Sequence, residues 1–267
     1  MASSVSSSAW GCHIGNCDFP APGTDIFFYE DVFKVGPFGF DKPMILLFLG
    51  AFVVIAFFLI AFRKPKIVPR GIQNIGELGY TFIRDGIARD VIGKGGEKFV
   101  PFLMAFFFLV WVLNFMGIVP GIMFPPTATF AIPVAFALLV YFTWIPLGIM
   151  KQGFFGFFKN MMFPPGLPKA LYLILAPIEL ISNIIVRPFT HCVRLFANMF
   201  AGHLLLTTFA VASWFLFSAS AAVLGSGLSF VVVIALTGFE MLIQGLQAYI
   251  FTLLAAVYIA GALHAEH

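Results

Sequence analysis

Apolar runs long enough to cross a bilayer dominate the chain, and short polar or Pro/Gly-rich segments separate them. A spanning helix needs about 20 apolar residues. Residues 43–62 (PMILLFLGAFVVIAFFLIAF), 99–119 and 130–150 each meet that length. The Pro-rich PGIMFPPTAT at 120–129 predicts a tight turn between the second and third runs. A fourth run, 171–217, has 47 residues, about 70 Å of helix at ~1.5 Å per residue, against an apolar core of ~30 Å. A fifth covers 228–263, after the small, turn-like SASAAVLGSG. Residues 71–98 differ. Ile72, Ile75, Leu78, Gly79, Phe82 and Ile83 recur at helical spacing, while Glu77, Arg84 and Asp85 occupy other faces. That pattern predicts an amphipathic helix at the membrane interface.

Polar residues inside the fourth run decide how to read it. Either 186–198 is a loop between two spans, or the run is one long tilted helix carrying polar groups into the membrane. At about 100° per residue from Arg187, His191 falls near +40°, Arg194 near −20°, Asn198 near +20° and Asn183 near −40°. A loop has no reason for such a stripe, so the spacing favours the helix. His203 lies about 180° from Arg194. An intramembrane Arg costs at least about 2.5–3.5 kcal/mol on insertion scales and must face protein, water or a partner carboxylate. Arg187 has a blander option, local pairing with Glu179.

The fifth run carries a second stripe: Glu240, Gln244, Gln247, Phe251 and Tyr258 fall within about 60° of one another. Gln244 suits interhelical hydrogen bonding. Glu240 is the one acidic residue of 228–263, and we read it as a proton site. The imidazole of His203, which ordinarily titrates near neutral pH, can exchange protons as well.

Composition agrees with the pattern. The chain is 61% hydrophobic and 10% charged, whereas a soluble domain carries roughly 25% charged residues. A net charge of +3, without basic arms, implies no nucleic-acid partner. GKGGE at 93–97 lacks the spacing and the Ser/Thr of a phosphate loop. The first 25 residues have neither the basic and apolar regions of a signal peptide nor the arginines of a mitochondrial presequence. Cys12 and Cys17 there either form a disulfide or remain free thiols. With His13 they match no zinc spacing, and Cys192 reads as a packing residue. We expect neither metal nor cofactor. Lys and Arg set the orientation. Eight lie in 63–98 and three in 151–170, against Lys34 and Lys42 in the tail and none in the 120–129 and 218–229 turns. The N-terminus is expected outside and the C-terminus cytoplasmic.

The fold expected is all-α: a polytopic membrane protein with five transmembrane helices and one amphipathic interfacial helix, the last two helices long and tilted as a hairpin. Its parts are an extracytoplasmic tail (1–42), a first transmembrane helix (43–62), a cytoplasmic basic loop and amphipathic helix (63–98), a transmembrane hairpin (99–150), a cytoplasmic loop (151–170), the long hairpin with proton half-channels (171–263), and a cytoplasmic C-terminus (264–267).

RPFTHCVRLFANMFAGHLL (187–205), followed after a turn by FEMLIQGLQAYIFTLLAAVY (239–258), resembles the a-subunit family of F-type ATP synthases. The likeness is strong over 170–267 and weaker over 99–150. It implies a stator of a rotary motor, with the c-ring of the rotor, peripheral-stalk subunit b, the rest of the synthase and membrane lipids as partners; the long tail without a presequence favours a bacterial plasma membrane. By position, Arg194 of the RLF-x-N motif faces the c-ring carboxylates, and Asn198 and Gln247 line half-channels near it. His203 and Glu240 hold positions that many bacterial relatives fill in the reverse order, which suggests a working pair. Ala197 stands where Gly is common, and Arg187 where Lys or Gln often stands. Whether Glu179, Arg187, His191, Gln244 and Tyr258 serve a channel or local pairing stays open. The chain itself makes no covalent bond. A proton-coupled secondary transporter is the alternative, but it would usually show two similar halves, and no such repeat is present.

Overall fold

A computed structural model describes residues 18–27, 33–35, 38–163, 172–218 and 222–263. The question of a Cys12–Cys17 disulfide, His13 and the 264–267 terminus lie outside the described residues. Among the described residues eight α-helices follow one another: α1 (Lys42–Ala61), α2 (Ile72–Ile83), α3 (Val100–Phe115), α4 (Ala131–Gln152), α5 (Phe154–Met162), α6 (Tyr172–Ile181), α7 (Arg187–Phe215) and α8 (Ala222–Leu263). Five helical stretches among the described residues are long and apolar enough to cross a membrane: Lys42–Ala61, Gly96–Phe115, Ala131–Gln152, Ile174–Phe215 and Val223–Leu263. The all-α polytopic reading therefore holds. One small addition is an antiparallel strand pair, β1 (Phe33–Val35) with β2 (Phe38–Phe40).

Residues 186–198 form no loop. From Tyr172 to Phe215 the described backbone is helical throughout, with α6 joined to α7 by a π-helical stretch, Ser182–Val186. Pro188 explains the wider turn: it has no N–H to donate, and its ring would clash with the carbonyl of Ile184 four residues back. The last helix begins six residues earlier than expected from the small-residue segment, at Ala222. Ser226 accounts for this. Its Oγ donates to the Ser213 carbonyl (2.7 Å) while Ser213 Oγ donates to the Ser226 carbonyl (3.2 Å). The two helices are thus held together beside their turn, and Gly225 leaves room there for Leu216.

The amphipathic segment is helical as expected through Ile83, then continues as a π-helix over Arg84–Ile92. Gly93 (φ 73°) and Gly95 (φ 92°) end it in conformations that L side chains rarely adopt, so GKGGE is a turn. Arg84 is bonded to Asp85 (2.8 Å), and Arg89 bridges Asp85 (3.0 Å) and Glu97 (2.6 Å). The hydrogen bond from Arg84 is the main cause holding the Asp85 carboxyl below its usual range. The 151–170 segment, expected only as a loop, contains α5. Gly153 (φ 74°) turns the chain into it.

The chain divides into two compact units. The first comprises 1–50, 111–129 and 196–246. Its interior holds Phe27, Leu113, Met116, Phe124, Met199, Leu206 and a buried Thr127–Asn114 hydrogen bond of 2.6 Å. The second comprises 51–110, 130–195 and 247–267. Its interior is aromatic: Phe106 stacks on Phe251 (6.0 Å) and meets Phe136 edge-on (6.0 Å), and Tyr141, Trp144 and Tyr258 adjoin one another. Gly148 of α4 lies against the ring of Phe157 of α5 so closely that a Cβ there would overlap it. Gly148→Ala is expected to displace Phe157 and cost ~1–3 kcal/mol as an overpacked contact, measured as a lower unfolding midpoint in detergent; an unchanged midpoint would show that α5 is not held by this contact.

Candidate functional site

The α8 stripe behaves as its spacing predicts. Glu240, Gln244, Gln247, Phe251 and Tyr258 are all buried. The α7 stripe does not act as one face. Arg187, Arg194 and Asn198 are exposed, while His191 is buried (2% exposed). The reason is angular. Leu195, Met199, His203 and Leu206 define a buried arc roughly between +80° and +160° from Arg187, and His191 stands at its near edge. Arg194 and Asn198 lie outside that arc, on a side shared with Thr190, Ala197, Ala201 and Leu205, all exposed.

In the first unit, α8 brings Glu240 against α7 one residue before His203. The Glu240 Oε1 atom lies 3.4 Å from the position a Cβ would take on Gly202. A side chain larger than alanine at 202 would meet this carboxyl. His203 is held between two rings, with Phe27 at 5.9 Å and Phe124 at 6.1 Å, both edge-on. Phe27 in turn leans on Phe200 (4.2 Å). His203 Nδ1, Glu240 Oε1 and both polar atoms of Gln244 are buried and have no hydrogen-bond partner among the described residues. Buried polar atoms are rarely left unpaired and are satisfied by protein or by ordered water, so this cluster is suited to hold water beside an imidazole and a carboxyl group. Lys42, at the start of α1, donates to the Ile122 carbonyl (3.2 Å) and lies over the Phe124 ring (5.7 Å).

In the second unit, His191 packs on Phe251 with ring centroids 3.9 Å apart, and Tyr258 is 6.0 Å away. Its Nε2 is buried without a partner among the described residues. Asn183 donates to the Glu179 carbonyl (2.8 Å) and carboxylate (3.1 Å), and its own carbonyl accepts from Tyr141 Oη (3.0 Å). Glu179 is therefore engaged with Asn183. No Glu179–Arg187 ion pair occurs among the described residues, and neither Arg187 nor Arg194 has one. Arg194 thus stands on an exposed helix face that it shares with Arg187, Thr190, Asn198 and the apolar Ala197, Ala201 and Leu205.

Sequence reasoning missed Phe27, Phe124 and Tyr141. Phe27 and Phe124 are two of 36 phenylalanines, and nothing in spacing separates a ring beside His203 from one in lipid contact. Tyr141 had a weak signal, as a polar tip within the apolar 130–150 run.

Comparison with known proteins extends the same residues to the whole chain. The family model described as "ATP synthase A chain" matches residues 44–260. The chain is 47% identical over 265 residues to "ATP synthase subunit a" of Streptomyces lividans, covering 96% of this chain and 92% of that protein. It is 44% identical over 254 residues to the protein of that name in Rhodococcus erythropolis, covering 93% and 92%. With that of Frankia alni the figures are 42% over 255 residues, 93% and 88%. The family match thus takes in three of the five spans completely, all but the first two residues of α1 and all but the last three of α8, and with them both polar stripes. The chain belongs to the ATP synthase A chain family.

Proposed function

We propose that this chain is the stator subunit of an F-type ATP synthase and conducts protons through two offset half-channels to and from carboxylates of the rotating c-ring. The observation that carries this reading is Arg194, exposed midway along a helix long and apolar enough to cross a membrane, with no ion pair among the described residues. A guanidinium at membrane depth must face protein, water or a counter-charge, and a partner helix carrying a carboxylate fits a face that includes the small Ala197 and Ala201.

Protons enter from outside past His203 and Glu240, reach a rotor carboxyl, and leave by the second half-channel after nearly a full turn of the ring. Arg194 separates the paths: its fixed charge draws the proton off the approaching carboxyl and blocks direct leakage. Arginine suits this because it does not deprotonate in proteins. Each proton crossing supplies about 2.3 kcal/mol per 100 mV. Asn198 and Gln247 flank the transfer point. The tail lies outside, the 63–98 and 151–170 segments and the C-terminus lie in the cytoplasm of a bacterial cell, and subunit b of the peripheral stalk holds the stator still.

A cysteine at Ala201, on the exposed side of α7, tests the docking face. In the purified complex, Ala201→Cys combined with a cysteine introduced beside the ring carboxylate is expected to form a disulfide when a mild thiol oxidant takes up the two electrons, and to stop rotation until the bond is reduced. Crosslinks to any partner other than the ring would overturn the placement of Arg194.

A further inference from the structure

The segment after α1 is unusual in what it displays. Arg63, Lys64, Lys66 and Arg70 lie within eight residues, and all four are exposed. None has an ion pair among the described residues; those present involve Arg84 and Arg89 instead. Between the cations stand two fully or largely exposed apolar side chains, Ile67 (103%) and Val68 (65%). Exposed apolar groups clustered with charged ones mark an interaction site, and here they follow the end of a membrane-spanning helix.

The loop is built, not merely free. Lys66 N–H donates to Gln73 Oε1 (3.1 Å), and Gln73 Nε2 donates back to the Lys66 carbonyl (2.9 Å) and to Glu77 (2.7 Å). Gln73 is buried at 8% exposure, so a side chain of α2 fixes the backbone that carries the cations. Gly76 allows α2 to approach Ala61 and Phe62, which sets the loop at the end of α1. Another side of α2 presents exposed apolar side chains: Ile72, Ile75 and Leu78 are each 51–70% exposed, while Phe82 (45%) also meets the rings of Phe107 and Tyr249. They fall within about 120° of the helix circumference.

We infer that the 63–70 loop and the exposed face of α2 form a binding surface for anionic phospholipid. The cations take the phosphate-bearing headgroups, and Ile67, Val68 and the α2 stripe enter the upper acyl region. Charge complementarity selects this occupant. Positive side chains alternating with apolar ones match an anionic leaflet, in which each Lys or Arg near the surface contributes about 1 kcal/mol. An acidic protein segment would not require the Ile67–Val68 pair to stand fully exposed beside the end of a span. The inference uses neither Arg194, His203 nor Glu240, so it stands or falls separately from the channel reading.

The test uses the whole synthase complex in phosphatidylcholine nanodiscs, titrated with photoactivatable phosphatidylglycerol or photoactivatable phosphatidylcholine, and reads label on residues 63–82 by mass spectrometry. Phosphatidylglycerol is expected to label the segment in preference to phosphatidylcholine. The triple variant Lys64→Gln/Lys66→Gln/Arg70→Gln should weaken its half-saturation by about fivefold per cation removed, with the complex still intact on native gels. Ile67→Ser/Val68→Ser should reduce labelling by both lipids alike, and Arg70→Lys should keep the preference. Equal labelling by the two probes, or unchanged labelling in the triple variant, would overturn the inference. So would protein crosslinks from a neighbouring subunit to 63–82 in place of lipid.

Discussion

Arg194→Ala is expected to reduce proton-driven ATP synthesis to background while the synthase still assembles. The direction of the stability change makes the test specific. A buried or membrane-embedded arginine costs at least about 2.5–3.5 kcal/mol on insertion scales, so its removal leaves the chain as stable as before or more so. A residue kept for packing would do the opposite. In the described residues Arg194 makes no ion pair that its loss would break. Inverted vesicles from a strain carrying the variant should show the full set of subunits, ATP hydrolysis by the soluble sector, and no synthesis driven by an imposed gradient. Arg194→Lys sharpens the point. Lysine keeps the charge in water but can lose its proton when desolvated, and it lacks the planar fork that matches a carboxylate. It should therefore assemble equally well and remain severely impaired. Coupled synthesis at the normal rate in Arg194→Ala would sink the proposed barrier role.

The legibility of this chain follows the physics of each feature. Spans were legible because a bilayer imposes a length, and the helices Lys42–Ala61 and Ala131–Gln152 agree closely with the runs at 43–62 and 130–150. The continuity of the fourth run was legible because polar groups at helical spacing make no sense in a loop. Three things were not. The early start of α8 was hidden because Gly225, Ser226 and Gly227 read as turn residues, whereas Ser213 and Ser226 use their small size for close helix contact. The π-helical turn before Arg187 was hidden because spacing arithmetic assumes a constant 3.6 residues per turn, and Pro188 breaks that assumption locally. The division of the α7 stripe, with His191 buried and Arg194 exposed, was hidden because a polar pattern marks a special face but not whether its neighbour is protein. At Glu240 the sequence sufficed to single out the residue. It did not reveal that Gly202 is what lets the carboxyl lie against α7, nor that Phe27, from the segment before α1, closes on His203.

Glu240→Gln is expected to lower proton flow through the membrane sector by about tenfold or more, since a positioned proton-transfer group contributes ~10²–10⁴-fold. The amide is nearly isosteric with the carboxyl, so the contact over Gly202 survives and only the exchangeable proton is lost. His203→Gln should act in the same direction, since His203 Nδ1, like Glu240 Oε1, is buried without a hydrogen-bond partner among the described residues. The decisive variant is the exchange, His203→Glu together with Glu240→His. If the two groups relay one proton through shared water, what matters is that one carboxyl and one imidazole occupy the cluster, and the double exchange restores more flow than either single exchange. Non-additivity of this sign is the mark of coupled neighbours. The aromatic walls set a limit on that recovery: Phe27 and Phe124 stand edge-on to an imidazole at 203, and a carboxylate there would leave them less well packed. Recovery should therefore be partial, read as passive proton conductance of stripped vesicles over a range of pH. If the double exchange is no better than the product of the singles, His203 and Glu240 act independently and the relay is wrong, while the barrier role of Arg194 would be untouched.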